Sequence, residues 1–84
     1  MTTIKGTIEH IEYRDMAGHR KKVVTLVPDH RQRAFVEFRG PMMDELAPYK
    51  ENDEIQVAVV LEGKISKNSG IQYNNLVAKE VKAC

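Results

Sequence analysis

What this 84-residue chain lacks narrows its possible roles at once. Its only cysteine is Cys84, so no disulfide can close within the chain and no metal site can be built on thiolates. Tryptophan is absent, and two Phe and three Tyr leave few large rings for stacking. No apolar run approaches the roughly 18 residues of a membrane-spanning helix. Lys5, Glu9 and Glu12 interrupt the N-terminus where a signal peptide would be apolar. The chain therefore reads as a soluble cytoplasmic protein. Also missing are a serine elbow, a His-x-x-x-His pair, a Cys/His cluster and a glycine-rich phosphate loop. His10, His19 and His30 are scattered at spacings that match no common metal site. No enzymatic activity, metal or other cofactor is expected.

What is present points to one small domain over residues 1–84. A hydrophobic fraction of 42% supports a single core, and 30% charged residues support solubility. Folding a chain this short buries roughly 60–65% of its unfolded surface, which gives modest stability. The net charge of +1 says little about partners, but its distribution says more. Residues 1–40 carry eight Lys/Arg against five Asp/Glu, a balance of +3; residues 41–84 carry five against seven, a balance of −2. Seven of the basic residues lie between Arg14 and Arg39.

The most informative stretch runs from Arg33 to Gly40. Ala34, Val36 and Phe38 share one parity, and Arg33, Phe35, Glu37 and Arg39 share the other, as in a strand buried on one face. Its outward face is unusual, because Phe35 stands between two arginines. Gly40-Pro41 then breaks the strand, and Pro48 leaves room for a short helix over residues 41–48.

Elsewhere, Thr2–Tyr13 alternates through Ile4, Gly6 and Ile8 and then changes parity to Ile11 and Tyr13. Such a slip predicts a bulge near Glu9-His10, and Gly6 marks a bend or a close backbone approach. Residues 14–20 read as a loop. Lys21–Val27 is a second strand, with apolar residues on both parities, so its inward face stays open. Residues 28–32 form a turn. A tight turn over residues 49–54 needs a left-handed residue, which Asn52 can supply. Glu54–Glu62 is a fourth strand with Ile55, Val57, Val59 and Leu61 inward. Residues 63–70 form a polar loop, and Ile71–Val81 is the last strand, with Leu76 and Ala78 inward. Five strands with a long coiled first strand and a helix between the third and fourth fit an all-β, five-stranded Greek-key barrel. That is the oligonucleotide/oligosaccharide-binding (OB) layout.

The segments FVEFRG, DELAPYKENDEIQV and GIQYNNLVAKEVKA resemble bacterial single-stranded DNA-binding proteins. They resemble more closely a family of small uncharacterised bacterial and phage OB-fold proteins, over roughly residues 4–82. Leu46, Lys50, Asn52 and Asp53 match that family's Leu-x-x-x-Lys-x-Gly-Asp turn, with Asn52 in place of Gly. Tyr73, Asn74, Leu76 and Ala78 match its Tyr-Asn-x-Leu/Ile-x-Ala strand. The chain departs from the DNA-binding proteins in having no tryptophan for base stacking and no long acidic tail for recruiting partners.

In an OB barrel the ligand track crosses strands 2 and 3 and is flanked by the loops joining strands 1–2 and 4–5. Arg20, Lys21, Lys22, Arg33, Arg39, Lys64 and Lys67 fall there, with Phe35 and Tyr73 as candidate stacking platforms. Surface lysines and arginines are usually only solvated, Arg39 has Glu37 and Asp44 as ion-pair partners within reach, and Tyr73 is equally suited to capping the barrel. Phe35 is core if the strand register is off by one. Met42 and Met43 read as a helix face filling the barrel bottom. Two roles follow. One is non-catalytic binding of single-stranded nucleic acid, with single-stranded DNA the expected ligand although the residues do not separate DNA from RNA. The other is an OB module for protein interaction or homo-oligomerisation without nucleic-acid binding.

Overall fold

The parity slip in the first strand is where the barrel bends. In the computed structural model, which describes all 84 residues, β1 (Thr2–Met16) changes partner along its length. Thr2–Thr7 pairs antiparallel with β4 (Glu54–Ile65), and Thr7–Met16 pairs with β2 (His19–Asp29), with a register shift between Ile8 and His10. One long strand thus serves two ladders, and the bulge supplies the twist between them. Gly6 lies at this crossing. A Cβ there would stand 2.9 Å from the Val27 carbonyl carbon and 3.0 Å from the Pro28 nitrogen, so only glycine admits β2 this closely.

The remaining elements are β3 (Gln32–Arg39), α1 (Met42–Leu46) and β5 (Gln72–Ala83). The strands close in the order β1-β2-β3-β5-β4. Every ladder is antiparallel except β3–β5, which is parallel and consists of Val36 opposite Leu76 and Glu37 opposite Val77. This closed order, with one short helix between β3 and β4, is the five-stranded OB barrel.

Inside, Val24, Leu26, Val36, Phe38, Ile55 and Val57 are fully buried, each contributing about 1.5–3 kcal/mol through removal from water. Leu46 of α1 joins them, and Met42, Met43 and Tyr49, partly buried, pack against the same core. Asn52 takes the left-handed conformation (φ 77°). The turn it shapes docks on the β1 bulge: Ile8 N–H donates to the Asp53 carbonyl at 2.9 Å, and Asn52 N–H donates to the Ile8 carbonyl at 2.8 Å.

The structure revises three expectations. Residues 14–20 are not a loop: β1 and β2 run on to a two-residue turn at Ala17-Gly18, with Met16 opposite His19. Likewise β4 and β5 continue past the barrel as a hairpin, so residues 63–65 are strand. Leu61 shares a face with Val57 and Val59, but it is 68% exposed because the opposing wall has ended by then. The ambiguity in β2 resolves on both sides. Val24 and Leu26 face the core, while Val23 and Thr25 are covered on the outer face.

Candidate nucleic-acid interface

Cross-strand register builds the outer surface row by row. One row runs from His10 through Thr25 to Phe35. The next runs Glu12, Val23, Glu37, Val77, Val60, and a third aligns Arg14, Lys21 and Arg39. Phe35 points outward and is 60% exposed, with no core role. Glu37, on the same side of β3, is only 6% exposed. It lies between two covered valines and beneath two cations.

Those cations are Lys21, whose Nζ donates to Glu37 Oε1 at 3.0 Å, and Arg39, whose Nη2 and Nε donate to the same oxygen at 2.9 and 3.0 Å. Burial alone would raise the Glu37 carboxyl, but the hydrogen bonds and charges of Lys21 and Arg39 outweigh it and hold the group below the ordinary glutamate range. Arg39 also reaches Glu62, with Nη1 at 3.3 Å from Oε2, and Lys64 Nζ lies 3.0 Å from Glu62 Oε1. Glu62 is accordingly lowered, first by Lys64 and then by Arg39. The result is one chain of alternating charge: Lys21, Glu37, Arg39, Glu62, Lys64.

Between the two hairpins lies a groove of about 570 Å³, lined by Met16, Gly18, His19, Arg20, Lys21, Arg39 and Lys64. Four of the expected residues, Arg20, Lys21, Arg39 and Lys64, therefore meet here. Three carboxylates accompany them, since Asp15 lies 3.6 Å from Arg20. Four positive charges against three negative make the groove cationic by a small margin.

The other expected residues lie outside this groove. Arg33 is held by Glu9 of β1 through two bonds, Nε to Oε1 at 3.1 Å and Nη2 to Oε2 at 3.2 Å, a fork that raises the guanidinium and lowers the carboxyl. Phe35 lies four residues before Arg39 on β3, about 13 Å along the strand. Lys22 shares the inward parity of Val24 and registers with Tyr13 and Phe38 at the barrel rim. Lys67 is exposed in the β4–β5 turn. Tyr73 does not cap the barrel; it is exposed and faces Lys64 across the ladder.

Sequence reasoning missed Glu62, the second anchor of Arg39, together with Met16 and His19 of the first hairpin. Alternation along β4 placed Glu62 on the outer face, but nothing local tied it to β3, 23 residues away. No three His, Cys, Asp or Glu side chains come together as a metal site would require. No helix is long and apolar enough to cross a membrane. No protein-family model matches this chain, and none of the curated proteins does either. What the site does must therefore be read from its own geometry.

Proposed function

We propose that this barrel binds single-stranded nucleic acid, DNA in the first instance, without catalysing a reaction on it. The strand would cross the outer face of β2 and β3 and enter the groove between the two hairpins. The observation that carries this reading is the convergence of Arg20, Lys21, Arg39 and Lys64 on one groove, on the same barrel face as the exposed Phe35. Cations in such a groove attract phosphates and release their counterions, and a ring on the adjacent surface offers a base a stacking partner. The lineage suggested by the sequence, small OB-fold relatives of bacterial single-stranded DNA-binding proteins, agrees with this role. The test is fluorescence anisotropy of a labelled oligo-dT titrated at low and high salt. Binding that weakens steeply as salt rises is expected; no binding at low salt would remove the proposal.

One observation favours a second reading, an interaction or oligomerisation module. Leu61, Ile65 and Ile71 on the β4–β5 hairpin, with Tyr13 and Met16 on the β1–β2 hairpin, are more than half exposed. Apolar residues at two adjacent projections suit burial against another protein. Light scattering across a concentration series separates the readings, because the module should self-associate or require a partner whether or not oligonucleotide is present.

A further inference from the structure

Any phosphate entering the groove meets Arg39 and Lys64 already occupied. Glu62 lies between them, with Oε2 3.3 Å from Arg39 Nη1 and Oε1 3.0 Å from Lys64 Nζ. The two carboxylates that share Arg39 differ in kind. Glu37 is almost fully covered, so breaking its bonds would strand a charge away from water, and it cannot leave at low cost. The Glu62 side chain is 35% exposed at the groove margin, and its ion pairs are of the solvent-screened type that exchange readily. Carboxylate and phosphate oxygens are bound by the same donors, and the flat guanidinium fork suits either. Thus Glu37 pins the Arg39 guanidinium in position, while Glu62 fills the site that the pinned guanidinium presents.

We propose that Arg39 and Lys64 form a phosphate subsite for a nucleic-acid phosphodiester, and that Glu62 is its resident anion, swinging out as the phosphate enters. The proposal rests on the nucleic-acid reading of the groove and goes beyond it by naming the subsite and the residue that sets its affinity. With Glu62 in place, a phosphate must displace a carboxylate rather than only counterions. Part of the attraction of these two cations is thereby spent inside the protein, so the strand binds more weakly and leaves faster than four cations alone would dictate. No comparable site opens at Arg33, because Glu9 and Arg33 pair one to one through two bonds and no lysine or second arginine bridges to Glu9.

The test compares wild type, Glu62→Gln and Glu80→Gln in oligo-dT anisotropy titrations over a range of salt. Glu80 lines a separate groove beside α1, with Met42 and Glu45, so its substitution makes the same change in net charge elsewhere. Glu62→Gln should bind about two- to fivefold tighter at low salt, the worth of an exposed ion pair. Its plot of log affinity against log salt should steepen by about 0.7, as for one further phosphate contact on a single strand. Glu80→Gln should match wild type in both. Salt-dependent binding by wild type with no gain in Glu62→Gln, or an equal gain in Glu80→Gln, overturns the subsite while leaving the nucleic-acid reading intact. Absence of binding by both wild type and Glu62→Gln overturns both. The unaltered protein gives an independent check: in a nitrogen-15 NMR titration the Arg39 side-chain N–H signal should move with added oligo-dT while that of Arg33 stays. A stationary Arg39 signal counts against the exchange even if Glu62→Gln fails to fold.

Discussion

A glutamate on the outside of a strand is ordinarily kept charged by water, and Glu37 has lost most of that water. Lys21 and Arg39 replace it, which makes this carboxylate a structural element and not a solvated one. Its lowered pKa sets the sign of the pH effect. The stabilisation is fully present above the unfolded value of about 4.3 and is lost as pH falls through the lower folded value. Glu37→Gln should therefore cost about 1–3 kcal/mol at neutral pH, because two cations lose their shared acceptor. That deficit should shrink in urea melts as the pH falls below about 4. Phe35 makes the opposite case. Its ring is mostly in water, so Phe35→Ala should cost less than about 1 kcal/mol of stability, whereas core Phe→Ala changes cost about 3–5. If bases stack on the ring, the same change should lose about 1–3 kcal/mol of oligo-dT affinity. Urea melts and anisotropy on one purified variant read both values; unchanged affinity would leave the ring without a role in binding.

At the scale of elements, the hairpins matter most, and they were the least legible part of the sequence. Alternation in Arg33–Arg39 gave the correct outward face for Phe35, and the parity slip at Glu9-His10 located the bulge, because both are local consequences of the pleat. Asn52 and Gly6 were legible for the same reason: each marks a backbone geometry that few residues accept. Where a strand outlives its barrel is set by the opposite wall, so alternation through Val57 and Val59 put Leu61 in a core it does not reach. Arg14, Asp15 and Arg20 looked like loop because charged residues dominate there, although an exposed hairpin carries charge at no cost. Burial of Glu37 was also invisible, since its roof comes partly from Lys21, 16 residues away. The Ala17-Gly18 turn offers a test of local chemistry. Both residues have positive φ, 54° and 84°, as in the hairpin turns that favour Asn-Gly. Ala17→Asn should therefore stabilise the domain by about 0.5–1 kcal/mol, measured as a higher urea midpoint with unchanged slope.

At the scale of the molecule, the barrel is a three-stranded meander, β1-β2-β3, and a hairpin, β4–β5, joined along two lines. One line is the six-pair ladder of β1 with β4; the other is the two-pair parallel contact of β3 with β5. α1 packs against those same two strands, β3 and β5, and sends Leu46 into the core beside them. Leu46→Ala should cost about 2–5 kcal/mol, above the usual loss for a surface change, and is read by chemical denaturation. Native-state hydrogen exchange carries the consequence further. Of the amides of Leu76 and Val77, the one directed at β3 across the two-pair ladder should exchange through a sub-global opening of lower free energy than those of Val23–Leu26, which lie in long antiparallel ladders on both sides. Such an opening would part the barrel as a clasp does, with meander and hairpin each intact. Glu37 stands on one jaw of it and Glu62 on the other, both gripped by Arg39. The arginine that faces the groove then also spans the shorter of the barrel's two closures, and an anion that displaces Glu62 from it removes one link between meander and hairpin.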